Sequence, residues 1–188
     1  MAKNILINSI TLRYSPEEDR LLLKCQSESA VHQVWWTQRL WQRVFPVLID
    51  WLDKQMSNVD KETSNFYQTL AQQQADEALV KDSQRATNDQ NVIDQQHQTS
   101  EVKEVEVPSS ATALCAKIEF AFQKHALKMM MFSLNEDVQF DVQMSIKQLR
   151  QFMLAQSRCL QRSDWPQNTP SWLLPESNQS KTLGTSLH

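Results

Sequence analysis

Apolar and polar residues alternate early in the chain and then fall into steps of three and four. Ile10, Leu12 and Tyr14 alternate with Thr11 and Arg13, the period of a strand. Ser15-Pro16-Glu17-Glu18-Asp19 is polar, carries proline and reads as a turn. Residues 20–26 form a second strand, with Leu21, Leu23 and Cys25 on one face and Leu22 and Lys24 on the other. The two make an antiparallel hairpin with a loop of ordinary length. Residues 31–36 are rich in β-branched and aromatic side chains and read as a third strand. Thr37 then suits an N-cap, where its hydroxyl accepts from a free amide of the first helical turn. Leu40, Trp41, Val44, Phe45, Leu48, Trp51 and Leu52 follow at helical spacing, with charged and amide residues between them. Pro46 lies inside this helix, where a proline costs about 3 kcal/mol and bends the helix or starts a new one. Residues 61–80 predict a second helix with a thin apolar stripe of Phe66, Tyr67, Leu70, Ala71, Ala78 and Leu79.

Between residues 81 and 110 the pattern stops. Runs such as Asn88-Asp89-Gln90-Asn91 have almost nothing to bury, so the segment reads as a mobile polar linker. Alternation resumes at Thr112, with Leu114, Ala116, Ile118, Phe120 and Phe122 on one face and Cys115, Lys117 and Glu119 on the other. Residues 126–134 and 138–144 predict two more strands. Ser145 and Gln148 form an S-x-x-Q capping box, and Ile146, Leu149, Phe152, Met153 and Leu160 supply the stripe of the helix it opens. Residues 163–188 are polar and proline-bearing and read as a disordered tail.

These elements predict an α+β fold. Two strand-strand-strand-helix blocks contribute to one antiparallel sheet, and the long helix and the C-terminal helix pack on one face. Residues 1–162 form a single domain. The repeated order is consistent with an internal duplication, although residue identity between the blocks is poor and meanders ending in a helix are common.

Composition narrows the chemistry. The 188 residues carry Lys+Arg 19 against Asp+Glu 22, a net charge of −3, so no global field favours a phosphate backbone. The only glycine is Gly184, which excludes a P-loop, a G-x-G-x-x-G turn and a nucleophile elbow. Cys25, Cys115 and Cys159 are scattered and odd in number, which suits buried thiols in a reducing cytosol. Ile5-Leu6-Ile7 is too short for a signal-peptide core, and no apolar run approaches the ~20 residues of a membrane span. A cytoplasmic protein is expected.

Arg13-Tyr14-Ser15-Pro16-Glu17-Glu18-Asp19-Arg20-Leu21-Leu22-Leu23, followed by Trp36-Thr37-Gln38-Arg39-Leu40, resembles a group of small bacterial proteins. In that group a P-E-x-D-R-L-L-L hairpin leads into a W-x-T-x-R helix start. The resemblance implies a bacterial origin and a shared α+β domain, and it transfers no activity and no site.

Candidate chemistry is sparse. No two of His32, His97, His125 and His188 share a helix face or stand beside a cysteine, so neither a metal nor any other cofactor is expected. His32 becomes a candidate ligand only if the fold brings Cys25 near it. Cys115 and His125 could form a nucleophile–base dyad across a hairpin, which would make the chain a small hydrolase-like enzyme. Glu17, Glu18 and Asp19 read as a solvated turn that discourages edge-to-edge strand pairing. The segment from Trp35 to Arg43 is the most distinctive. Trp35, Trp36, Arg39 and Arg43 suit a protein contact, or weak single-stranded nucleic-acid binding that the acidic net charge disfavours. Trp41 falls on the helix stripe and belongs to the core. In the tail, Trp172-Leu173-Leu174 suits either a strap docked on the domain or a recognition segment. The expected function is non-enzymatic: an interaction or adaptor protein whose partner is another protein or a second copy.

Overall fold

The computed structural model describes residues 3–55, 61–94, 112–166 and 168–173. Four strands, β1 (Lys3–Ile7), β2 (Ser9–Ser15), β3 (Arg20–Gln26) and β4 (Val31–Thr37), lead into helix α1 (Gln38–Lys54). Helix α2 (Lys61–Asp94) follows, then β5 (Thr112–Phe122), β6 (Ala126–Ser133), β7 (Val138–Ser145), helix α3 (Ile146–Leu160) and a 3₁₀ turn at Ser171–Leu173. Both predicted caps are present. Thr37 accepts from the Leu40 amide at 3.2 Å, and Ser145 and Gln148 exchange the bonds of a capping box. No described helix is long and apolar enough to cross a membrane.

The fold is α+β, and its seven strands run in the order β1-β7-β6-β5-β4-β3-β2. The sheet is mixed rather than antiparallel throughout, because β1 pairs with β7 and β4 with β5 in parallel. β1 was not among the predicted strands. Its pairing with β7 joins residues more than a hundred positions apart, a relation that no local periodicity reports.

The edge strands β1 and β2 are joined by Asn8 alone. In a flat sheet of this width they would lie ~29 Å apart at ~4.8 Å per strand, whereas the one linking residue spans at most ~7 Å. The sheet is therefore curled until its edges meet at Asn8. The ring of His32 on β4 accordingly lies 5.5 Å from that of Phe140 on β7, three strands away. The inward-facing positions change parity at this junction. Ile5 and Ile7 stand opposite Phe140 and Val142, and then Ile10, Leu12 and Tyr14 stand opposite Cys25, Leu23 and Leu21.

A bulge in β5 produces a similar shift. Cys115 pairs with Ser133 but Lys117 with Phe132, so Ala116 is the extra residue. The alternation predicted for β5 is corrected there. Cys115 faces the core with Ile118 and Phe120 instead of opposing them, because one inserted residue reverses the faces.

The core fills the concave side of the sheet. Leu21, Leu23, Val34, Trp36, Met129, Met131 and Phe140 meet Trp41, Phe45, Leu48, Leu149 and Met153 there. α1 packs on β4 and β5, and α3 on β2, β6 and β7. α1 runs unbroken through Pro46, which lies on its exposed side where the carbonyl of Gln42 can meet water.

Two further expectations are corrected. Residues 81–94, assigned to the linker, continue the backbone of α2, while 95–111 lie outside the described residues. The tail expected to be disordered from residue 163 instead begins as a docked strap. Trp165 is 4% exposed, Trp172 4% and Leu173 0%. Asp19 holds the strap: its Oδ1 accepts from Trp165 Nε1 at 2.6 Å and from the Tyr14 hydroxyl at 2.6 Å. Tyr14 also meets Trp165 edge-on at 5.9 Å. One of the three acids of the first turn is thus an anchor rather than part of a solvated tip. Leu174 and the residues beyond it lie outside the described residues.

Candidate functional site

The interaction residues expected from the sequence separate into two groups. Trp36 is fully buried, edge-on to Phe152 with centroids 6.1 Å apart. Trp172 and Leu173 are buried as well, so these three line no open surface. Trp35 is half-buried on the outer face, in register with Leu22 and Leu114, and Arg39 and Arg43 are exposed on α1. Trp41 is core, as expected: it stacks on Phe45 at 4.7 Å and donates to Gln156 Oε1 at 3.1 Å.

The hydrolase-like alternative fails on geometry. Cys115 pairs with Ser133 at one end of the β5–β6 hairpin, and His125 sits exposed in the turn at the other. Phe122 lies seven positions along β5 from Cys115, a span of ~20 Å or more. Burial also pushes the Cys115 thiol up to about 12, so the nucleophilic thiolate is scarce. Cys25 does stand opposite His32 on neighbouring strands, as a metal ligand pair would require. Both are buried, and the His32 ring lies 3.4 Å from the Ser27 hydroxyl. Among the described residues no three His, Cys, Asp or Glu side chains converge to hold a metal.

Helix α2 holds the feature that sequence reasoning missed. Its inward face is Gln68, Gln72 and Ala75, respectively 0%, 4% and 1% exposed. Gln68 donates to the Leu52 carbonyl at 3.0 Å and to Asp53 Oδ1 at 3.1 Å, and its own carbonyl accepts from Arg150 Nη2. Gln72 donates to the Arg150 carbonyl, and Gln151 donates to the Ala75 carbonyl at 2.9 Å. Arg150 is itself buried, and its guanidinium lies 5.2 Å from the Trp172 ring centroid. Burial pulls its pKa down to about 10, partly offset by the Asp53 charge. Four elements thus lock together: α1, α2, α3 and the strap.

This amide-lined docking turns the apolar stripe of α2 outward. At 100° per residue, Phe66 and Leu70 lie ~150–200° around the helix from the centre of the inward face. Phe66 is 67% exposed, Tyr67 46% and Leu70 40%, with the two aromatic rings edge-on at 5.8 Å. Of the stripe expected to face the core, Phe66, Tyr67 and Leu70 face solvent, while Ala71 and Ala78 are half-buried. A sequence signal existed: positions 68, 72 and 75 also follow helical spacing, but the glutamines at 68 and 72 ordinarily mark the wet side.

A second feature lies where the sheet edges separate. Beyond Ile7 and Val142 the chain leaves β7 to pair with β3, and a cleft of about 290 Å³ opens between β2 and β7 over α3. Ser9, Ile10 and Leu12 form one lip, Gln143 and Met144 the other, and Phe152 and Ala155 lie in the floor.

No protein-family model, curated protein or solved structure matches the chain. The outward face of α2 offers apolar contact, and the β2–β7 cleft apolar contact with neutral amides.

Proposed function

We propose that the chain is a non-enzymatic protein-interaction module that makes contact through the outward face of α2. The observation that carries this reading is the inversion of α2, with glutamines turned to the core and Phe66, Tyr67 and Leu70 turned to solvent. Large side chains present roughly 150–250 Å² each, so these exposed fractions leave roughly 300 Å² of apolar surface. A patch of that size on a monomer is often functional. Doubled, it stays below the ~1,000 Å² of a stable interface, which suits a transient contact.

The single-stranded nucleic-acid alternative would use Arg39 and Arg43, both exposed on α1, with the half-buried Trp35, while two cations of the sheet are neutralised by acids. On the outer strand face Lys117 pairs with Glu119 at 2.6 Å and Lys128 with Asp141 at 2.7 Å. The two-block reading of the chain gains some support. The strand that opens each half, β1–β2 or β5, pairs first in parallel with the last strand of the other half. It then shifts register and pairs antiparallel within its own half.

The test is the triple variant Phe66→Ser, Tyr67→Ser, Leu70→Ser, studied by sedimentation velocity over a concentration series and by co-purification. Exposed sites away from packing cost little, so the fold should persist. Loss of self-association or of a co-purifying protein supports the reading. A variant that matches the parent in both removes it.

A further inference from the structure

We propose that α2 and the strap dock as one latched unit, so that α2 holds its Phe66, Tyr67 and Leu70 face in place only while Trp172 is seated over Arg150. The regulatory consequence rests on the function proposed above. The coupling itself rests on the docking geometry alone.

α2 buries little apolar surface of its own. Among the described residues Ala75 is its one buried apolar side chain, beside the amides of Gln68 and Gln72. The helix rests on α3 and on the 3₁₀ turn of the strap, where Trp172 and Leu173 are buried. Arg150 stands where the three meet. Its Nη1 donates to the Gln68 carbonyl at 3.4 Å and its Nη2 to the Gln68 side chain, while its own carbonyl accepts from Gln72. The Trp172 ring lies over the same guanidinium. The short turn at Ser171–Leu173 thus supports α2 and also shields the charge that α2 binds.

Sharing one buried cation couples the two elements. A charge-assisted hydrogen bond is strong where water is excluded and weak where water competes. Unseating Trp172 admits water to the guanidinium, and its bonds to Gln68 lose most of their strength. Undocking α2 hydrates the same guanidinium and weakens its attraction to the Trp172 ring, which is largest when the cation is dry. The docked state is also reversible. Arg150 Nε and Gln72 Oε1 are buried without a hydrogen-bond partner, so release lets both meet water. The ion pair of Arg158 with Asp76 is partly exposed and holds little by itself. No described residue of α2 belongs to the continuous apolar core of the sheet, α1 and α3, so that core outlasts the opening. Trp165, tied to Asp19, keeps the start of the strap in place. By linkage, a partner bound to the α2 face favours the seated strap, and unseating the strap weakens that partner.

The experiment is amide hydrogen exchange of the full chain, read by NMR at a series of low urea concentrations. An undocked helix is marginal in water, so undocking registers as exchange. The expected result is that residues 68–76 and the Leu173 amide, which donates to the Pro170 carbonyl, share one opening. That opening should be at least about ten-fold more frequent than the one that exposes residues 21–25 of β3 and 127–131 of β6. Trp172→Ala should speed exchange of residues 68–76 by about ten-fold or more, and the paired variant Gln68→Ala, Gln72→Ala should do the same to the Leu173 amide. Exchange of α2 that is indifferent to Trp172→Ala overturns the proposal. So does a parent chain in which α2 opens only together with β3 and β6. If the variants fail to fold, the exchange of the parent chain decides. None of these measurements involves a partner, so they stand even if the α2 face makes no contact. Where the contact of the previous section is found, Trp172→Ala should weaken it about five-fold or more, and an unchanged contact overturns the regulatory consequence.

Discussion

Replacing Trp172 by alanine tests whether residues beyond α3 belong to the fold. Trp172 is 4% exposed and lies over Arg150, which in turn donates to the Gln68 side chain of α2. A buried aromatic of this size removes roughly 150–250 Å² from water, worth ~4–6 kcal/mol at about 25 cal/mol per Å². The unfolded chain already buries some of that surface, which lowers the figure to ~3–5 kcal/mol, the usual range for such truncations. Loss of the cation–π contact adds about 0.5–2 kcal/mol. Trp172→Ala should therefore cost ~3–5 kcal/mol or slightly more, a fall in Tm of about 10 °C for a chain of this size. Trp172→Phe keeps a ring over the guanidinium and should recover much of the loss. The assay is urea unfolding followed by far-UV circular dichroism, which avoids the change in tryptophan emission. A cost below ~0.5 kcal/mol with an unchanged slope would refute the reasoning, because a strap detached in solution has nothing to lose on truncation.

Two further outcomes follow from titratable groups. The hydrogen bonds from Tyr14 and Trp165 hold the Asp19 carboxyl below its usual range, so the stability it supplies is full above the unfolded carboxylate value of ~3.9 and is lost as pH falls through the folded value. Asp19→Asn keeps a residue that tolerates the φ of 46° at this turn, and it should flatten the acid limb of a Tm-against-pH curve; an unchanged limb would contradict the anchor. Burial raises the thiols of Cys25 and Cys115 to about 12, leaving roughly one thiolate in ten thousand at pH 8. Both should resist a disulfide reagent until the chain is unfolded, and labelling of native Cys115 within seconds would show that the β5 bulge does not bury it.

Local chemistry was legible in the residues themselves. The β2–β3 hairpin, the caps at Thr37 and Ser145 and the stripes of α1 and α3 follow from side-chain period and from hydroxyls placed where free amides begin. These depend on neighbours within one or two turns, so the chain carries them at short range. The candidate surfaces were not legible in this way. Phe66, Tyr67 and Leu70 have the spacing of a buried stripe. They face water because Gln68 and Gln72 meet Arg150, a residue some eighty positions away whose buried guanidinium and backbone need amide partners. The β2–β7 cleft exists because β1 pairs with β7 and the chain then crosses at Asn8, which is a property of closure rather than of any segment. Trp165 and Trp172 look unaccompanied in a polar tail, and only the assembled groove between Asp19, Trp41 and Arg150 supplies their partners. Periodicity shows which side of an element is apolar, but where apolar burial and a buried charge compete for the same helix, the tertiary contacts decide which side faces in.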